Sequence, residues 1–200
     1  MRVAALVALG AHLLGDVCGF APRPTSARQT ARRAEPSGAP GDLHDFLRQS
    51  YPQMAALLKL DETLWSQLSS ADGLTVFAAN AAAFDKLGDK RSKQLDDPRN
   101  DEVASKVAKY HVVGDRVSMD ALRNSGGVMT LGGELACGES TSGGFMGIGG
   151  KPNGGVNVGS EGKVIQSFEI GNNVVHEVDA LVSPLVLWRF ADALRLPGSA

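Results

Sequence analysis

The chain has few cysteines and no glycosylation sequon. Its two cysteines are Cys18 and Cys137, and no asparagine is followed two positions later by serine or threonine. Because Cys18 lies in a predicted leader, removal of that leader would leave Cys137 without an intramolecular disulfide partner. Both absences favour an organelle over the cell exterior. A folded part of about 160 residues buries roughly 70% of the surface of its unfolded chain, so it needs no disulfide or metal for stability.

The sequence also lacks the motifs of several common catalytic and ion-binding sites. Gly-x-Ser-x-Gly is absent, which argues against a serine nucleophile elbow. The glycine-rich segment 143–155 is not a phosphate loop, because Phe145 stands where glycine is required and Pro152 where serine or threonine should hold magnesium. Three neighbouring aspartates lack the ligand spacing of a calcium loop: Asp96, Asp97 and Asp101. We therefore expect no catalytic residue, cofactor or metal.

Basic charge is scarce in the predicted folded part. Residues 1–41 carry five arginines against Asp16 and Glu35, which leaves 15 basic and 20 acidic residues for the rest of the chain. A nucleic-acid backbone would favour a basic face. We therefore expect no nucleic-acid partner. The hydrophobic content of 43% and charged content of 21% are typical of a globular protein.

Residues 1–19 have the pattern of a signal peptide. Arg2 supplies the positive start, Val3 to Leu14 is mainly apolar, and Val17 and Gly19 are small enough to flank a cleavage site. As a helix this run would rise about 18 Å, less than the ~30 Å hydrocarbon core of a bilayer. We expect a signal peptide and no membrane-spanning segment after processing. A short buried helix of the domain is the alternative.

Residues 20–41 form an arginine-rich, acid-poor linker that begins with Phe20 and has Glu35 as its first acid. This composition is typical of an organelle transit peptide. Together with the preceding segment, it resembles the bipartite leader of algae with secondary plastids, in which an aromatic residue opens the transit peptide. The resemblance implies a plastid location, in the stroma or associated with thylakoids. A secreted protein with a flexible linker is the alternative.

Helices are predicted for the first part of the domain. Asp42 is a candidate helix cap, and Pro52 stands where a second helix can begin. A short strand is predicted at 74–78, after which Asn80 can cap a further helix. The charged stretch 86–100 predicts a solvated loop or loose helix ends, and apolar spacing predicts a helix again from Asp101.

From His111 onward the sequence predicts mostly strands and turns. Val128 to Cys137 predicts a tight hairpin around Gly132-Gly133, with a short helix before it at Asp120–Leu122. Gly171 to Asn173 predicts a turn between the last two strands. Three further strands are predicted from β-branched runs: 156–158, 163–170 and 174–182.

Three sequence blocks, in their order along the chain, resemble the fasciclin-type domain family. Thr75 to Phe84 corresponds to that family's Thr-Val-Phe-Ala-Pro-Thr-Asn-x-Ala-Phe segment, Tyr110-His111 is the middle pair, and Asn172 to Asp179 corresponds to Asn-Gly-x-Ile-His-x-Ile-Asp. The resemblance covers residues 42–184. It implies an α+β fold, a wedge-shaped β-sandwich with several helices packed along one edge. The motif residues it implies are Thr75, Phe77, Asn80, Phe84, Tyr110, His111, Asn173, His176 and Asp179.

The sequence departs from the family pattern at three positions. Ala79 replaces the usual proline, Ala81 the usual asparagine, and Asn173 the usual glycine. Asn80 can replace the hydrogen bonds of the missing asparagine. Asparagine tolerates the left-handed backbone better than other non-glycine residues do. We therefore expect the fold to survive these changes.

The resemblance implies a non-enzymatic adhesion or matrix module, in which the Tyr110-His111 segment binds receptors in some animal members. The residues themselves favour a structural role for His111 and His176, because each lies in an apolar stretch where a buried, hydrogen-bonded ring is expected. Cys137 with His176 as a thiol nucleophile has no local support. A small-molecule carrier or weak hydrolase with a cleft near both histidines remains an alternative.

The candidate partner-binding residues are apolar or aromatic side chains on loops and on the C-terminal tail: Tyr110, His111, Phe145, Met146, Ile148, Trp188 and Phe190. The tail, 185–200, can pack on its own domain, lie in a membrane interface or dock into a complex, and self-packing is favoured. We expect protein partners at or near thylakoid complexes. A secreted cell-surface or matrix adhesion protein is the alternative.

Overall fold

The computed structural model describes residues 42–70, 72–142 and 151–193. The predicted signal peptide and transit-peptide-like linker, residues 1–41, lie outside the described residues. The same holds for three candidate partner-binding residues, Phe145, Met146 and Ile148.

Three short helices open the described chain: α1, Leu43–Ser50; α2, Pro52–Lys59; and α3, Glu62–Ser70. The Asp42 carboxylate accepts a hydrogen bond from the backbone N–H of His44 at 3.2 Å and so caps α1. Pro52 is the first residue of α2, where its missing N–H costs no hydrogen bond. Both predicted helix starts are confirmed.

Strand β1, Thr75–Ala79, leads directly into helix α4, Ala81–Leu95. Asn80 caps this helix by accepting a hydrogen bond from the N–H of Ala83 at 2.9 Å, as predicted. Of the two alternatives predicted for residues 86–100, a solvated loop or loose helix ends, the loop was wrong, because the helical segment continues to Leu95 beyond a break at Gly88 (φ 78°). It continues because Gln94 and Leu95 are buried against the domain.

A short 3-10 helix at Pro98–Asn100 precedes α5, Asp101–Tyr110. The remaining elements are β2, Val112–Val113; α6, Met119–Ser125; β3, Gly127–Thr130; β4, Gly133–Ser142; β5, Lys151–Val158; β6, Gly162–Ile170; β7, Asn173–Val178; and α7, Leu185–Ala193. The predicted hairpin is confirmed as the antiparallel pair β3–β4. Strand β7 ends four residues earlier than predicted, and the N–H of Val182 bonds the His111 side chain instead of a neighbouring strand.

The described strands form one mixed sheet in the order β2-β1-β7-β6-β5-β4-β3. The pair β1–β7 is parallel, with Phe77 opposite His176, and the other pairs are antiparallel. The sheet is close to a barrel or sandwich, and the described chain adds seven α-helices, so the predicted α+β class is confirmed. The parallel pair places the first and last sequence blocks side by side, although about 100 residues separate them along the chain.

The hydrophobic core draws on both the helices and the sheet. Fully buried side chains include Met54 and Leu58 from α2, Phe77 from β1 and Val175 from β7. The C-terminal helix also belongs to this core, since Trp188 retains only 3% of its exposure. Within the described residues, the tail therefore packs on its own domain.

Candidate functional site

His111 follows the last turn of α5 and has no exposed surface. The N–H of Val182 donates to its Nε2 at 3.0 Å, so that nitrogen must accept. Nδ1 lies 2.8 Å from the carbonyl oxygen of Val107 and therefore donates. The ring is a neutral Nδ1–H tautomer with both nitrogens satisfied. Burial lowers the pKa of His111 to about 4, despite the opposing effect of the Val107 carbonyl.

The placement of His111 corrects its inclusion among the partner-binding candidates. A partner cannot reach a fully buried ring while the domain is folded. Its hydrogen bonds instead fasten the end of α5 to the segment after β7. Removing the imidazole would leave the buried N–H of Val182 without its hydrogen-bond acceptor.

His176 lies in the middle of β7 and is likewise fully buried. Its Nε2 is 2.9 Å from the carbonyl oxygen of Val117 and therefore donates. Its Nδ1 is 2.6 Å from the Ser167 hydroxyl and accepts from it. Burial lowers the pKa of this imidazole, while the Val117 carbonyl acts in the opposite direction. The ring also stacks on Phe77 with centroids 5.8 Å apart.

The two imidazoles offer no unengaged nitrogen for proton transfer or metal binding. Across residues 42–70, 72–142 and 151–193, no cluster of three or more histidine, cysteine, aspartate or glutamate side chains could hold a metal ion. Cys137 is 7% exposed, and burial raises its pKa to about 11. The thiol form therefore predominates at neutral pH, whereas nucleophilic attack requires the thiolate.

A buried carboxylate that the sequence patterns did not reveal lies next to His176. Glu177 is 2% exposed and accepts hydrogen bonds from the Tyr51 hydroxyl at 2.8 Å and from Asn80 Nδ2 at 2.9 Å. Tyr51 joins α1 to α2, and Asn80 caps α4. The carboxylate thus connects the α1–α2 junction and the start of α4 to the sheet. A charged residue inside the apolar run Val174 to Val178 was the available sequence signal.

Two further motif residues connect strand ends. The Thr75 hydroxyl donates to the carbonyl oxygen of Asp115 and accepts from the N–H of Val117, both at 2.8 Å. The Asn173 side chain accepts from the N–H of Leu74 at 2.8 Å. These bonds hold β1 to its neighbours on both sides.

Asp179 follows β7 and accepts from the N–H of Lys163 at 2.7 Å. Its other oxygen pairs with the Lys86 ammonium at 3.0 Å. Burial raises the pKa of this carboxyl. The hydrogen bonds and positive charges of Lys86 and Lys163 together lower it by more, so the pKa lies below the usual value. The motif residue therefore joins β6 to α4.

Tyr110 is the surface member of the Tyr110-His111 pair. Its half-buried ring lies on the hairpin turn, where a Cβ atom added to Gly132 would come within 2.6 Å of the tyrosine ring. The ring lines a groove of about 360 Å³ together with Leu135, Pro184 and Leu185. Glycine at 132 therefore permits the close packing that sets the position of Tyr110.

The C-terminal helix α7 has one buried and one exposed face. Trp188 points into the core, and its indole N–H donates to the Ser183 hydroxyl at 2.9 Å. This burial corrects the prediction that Trp188 contacts a partner. Phe190 and Val186 are 49% and 65% exposed. With Tyr110 and Leu185, they define what we name the Tyr110–α7 surface.

None of the helices in the described part of the chain is both long and apolar enough to span a bilayer.

Comparison with known proteins identifies a family for most of the chain. The fasciclin domain family model matches residues 49–184. No curated protein matches the sequence. Among solved structures, the chain is similar to a FAS1 domain pair from the insect cell adhesion molecule fasciclin I, with 17% identity and a TM-score of 0.48. The match covers 66% of this chain and 45% of that one, so the chain spans less than half of that structure's length.

Proposed function

Since this chain belongs to the fasciclin domain family, whose members are generally protein-interaction or adhesion modules, we propose that it is a non-enzymatic protein-binding module. The observation that carries this proposal is that both motif histidines are buried. His111 and His176 use every ring nitrogen to join elements of the fold. The side chains best suited to acid–base chemistry are thereby committed to structure, and recognition is left to the surface.

The Tyr110–α7 surface supports a protein partner. Leu185, Val186 and Phe190 are each about half or more exposed, and Leu185 also lines the groove beside Tyr110. Isolated exposed apolar side chains are common on any protein, but three on one short helix, the first of them lining a groove with a half-buried tyrosine, are typical of interaction sites. This surface is the candidate for the main partner contact.

Site-specific cross-linking in cells tests this function. A photoactivatable residue at Phe190 in the full chain should capture one defined protein, whereas the same residue at exposed Ser69 on α3 should not. Mass spectrometry of the cross-linked product then identifies the captured protein. Capture of the same proteins at equal yield from both positions would argue against a specific binding surface.

For location, we infer import into a plastid and action at or near thylakoid complexes. The support is the arginine-rich, acid-poor composition of residues 20–41 behind a signal-peptide pattern. The signal-peptide pattern alone also fits a secreted adhesion protein, which is the second candidate. The mature N-terminus separates the two: a start near residues 34–41 in purified plastids favours import, and a start at Phe20 in secreted material favours adhesion.

A small-molecule carrier or weak hydrolase at the two histidines is not proposed. That function requires a ring that a ligand can reach, and neither His111 nor His176 has exposed surface.

A further inference from the structure

A second groove, of about 560 Å³, lies between α2, α4 and the start of α5. Of the family motif residues, Phe84 alone lines it. Four large apolar residues line it: Leu57, Leu60, Phe84 and Leu95. Leu60 is 51% exposed, and Phe84 is half-buried. We name this site the helix groove.

The rim of the helix groove is acidic. Asp85, Asp96 and Asp101 line it, all three are exposed, and the lining set contains neither lysine nor arginine. Within the described residues, none of these three carboxylates takes part in an ion pair. Neighbouring acids are used differently: Asp97 pairs with Arg99, and Asp61 pairs with Lys109.

This combination sets two requirements for an occupant. An apolar side chain can gain by covering Leu60 and Phe84, because apolar area is then removed from water. Positive charges can gain by approaching the unpaired carboxylates, and the attraction strengthens as water is excluded from the groove. Lysine and arginine meet both requirements, since their aliphatic stems cover apolar surface while their charged ends stay at the rim.

We propose that the helix groove binds a basic amphipathic segment of a partner protein. An apolar side chain of that segment contacts Leu60 and Phe84, and its lysines or arginines face Asp85, Asp96 and Asp101. The inference rests on the proposed function as a protein-binding module. The helix groove would be a second binding site on the domain, separate from the Tyr110–α7 surface, and its partner would be basic and amphipathic.

A labelled peptide tests the charge requirement. The probe is a 14-residue amphipathic helix with leucines on one face and lysines on the other, titrated by fluorescence anisotropy against the full chain at 0.15 M salt. The matched probe carries glutamates in place of the lysines. We expect the lysine probe to bind at least about tenfold more tightly, because opposite charges attract at this rim.

Two triple variants show whether the rim itself is responsible. Asp85→Asn/Asp96→Asn/Asp101→Asn removes three charges from the helix groove and should weaken binding of the lysine probe about tenfold. Asp72→Asn/Asp115→Asn/Glu139→Gln removes three exposed charges elsewhere and should leave affinity unchanged. Equal affinities of the two triples would overturn the proposal.

Leu60→Gln separates groove binding from general electrostatic attraction. The substitution removes exposed apolar surface at the groove without changing the charge of the domain. The proposal expects weaker binding of the lysine probe, whereas long-range attraction alone would leave the affinity unchanged, and an unchanged affinity would overturn the proposal. An unchanged melting temperature serves as the folding control, and half-exposed Leu60 makes this control achievable.

One alternative occupant is the chain's own arginine-rich segment, residues 20–41. Arg28→Ser/Arg32→Ser/Arg33→Ser in the full chain should leave affinity for the lysine probe within twofold. A gain of tenfold or more would mean that this segment fills the groove, which overturns the partner proposal. The experiments also distinguish a wrong groove from a wrong function. If cross-linking at Phe190 captured a specific protein but the two triple variants bound the lysine probe equally, the protein-binding function would stand and the helix groove would be rejected.

Discussion

Polar side chains are buried and hydrogen-bonded in the interior around strands β1 and β7, whereas at the helix groove they are exposed. In the interior, His111, His176 and Glu177 are buried, and each is hydrogen-bonded to groups from other elements. At the helix groove, Asp85 and Asp101 stand exposed beside apolar side chains without an ion-pair partner among the described residues.

This difference separates the sequence features that maintain the fold from those that can recognise a partner. The residues that make the family recognisable, such as Thr75, Phe77 and His176, lie inside the domain. Their pattern therefore identifies an architecture rather than a binding partner. Partner specificity is expected where side chains are exposed and electrostatically unmatched.

The largest contrast is expected from truncating one apolar side chain in each region. Phe77→Ala should lower the free energy of unfolding by about 3–5 kcal/mol, because the side chain is fully buried and leaves a cavity. Leu60→Ala should change it by less than about 1 kcal/mol, because half of the side chain is already in water. Urea unfolding of both variants checks the difference. Equal losses would break the distinction between the two regions.

Acid should destabilise the domain through its buried histidines. Because the folded pKa of His111 is about 4, against an ordinary value of 6.5, the unfolded chain binds a proton that the folded chain excludes between these values. The contribution of neutral His111 to the free energy of unfolding is therefore complete above pH 6.5 and falls as the pH drops toward 4. It amounts to at most about 3 kcal/mol. His176 acts in the same direction.

Urea unfolding at pH 7, 6 and 5 measures this acid effect. Asp61 does not interfere, since its pKa is lowered to about 2 by hydrogen bonds from Lys109, Leu64 and Ser105, and its contribution is lost only below its ordinary value of 3.8. A His111→Gln variant should show a shallower slope. A flat profile in the parent from pH 7 to 5 would contradict the buried, neutral state.

Removing a histidine should cost less than removing Phe77. His111→Ala leaves the buried N–H of Val182 and the carbonyl of Val107 without side-chain partners, so we expect a loss of about 1–3 kcal/mol. His176→Ala should fall at the lower end of this range, because exposed Ser167 can bond water instead. Melting curves of the two variants test this order. A parental melting curve for His111→Ala would contradict its structural role.

The smallest effect is expected at the rim. Asp85→Asn/Asp96→Asn/Asp101→Asn should alter the free energy of unfolding by less than about 0.5 kcal/mol, because the three carboxylates are exposed. Chemical denaturation with the parent as control measures it. A loss above about 2 kcal/mol would show that these residues hold the fold and would weaken their assignment to binding.

Local chemistry made parts of this fold predictable. Asp42 and Asn80 could be recognised as helix caps, because each works through backbone groups a few residues away. The hairpin was also recognisable, although its turn is Leu131-Gly132, one residue earlier than the predicted Gly132-Gly133. The solvated loop predicted as one alternative for residues 86–100 was wrong, because the sequence alone did not reveal that Gln94 and Leu95 pack inward.

Long-range contacts were beyond the sequence patterns. Glu177 meets Tyr51 across 126 residues, and no local spacing connects them. The burial of Trp188 likewise depends on where α7 packs, which an amphipathic pattern cannot specify. The helix groove was missed because its three aspartates lie apart along the chain, and an exposed charge carries no signal of its own in the sequence.

The central claim is that both motif imidazoles are neutral structural groups within the domain. Nitrogen-15 NMR of the histidine rings in the full chain at pH 6 tests it most directly. We predict an Nδ1–H tautomer for His111 and an Nε2–H tautomer for His176, neither of them protonated. Two equivalent ring nitrogens with titration near pH 6.5 for either residue would contradict the claim.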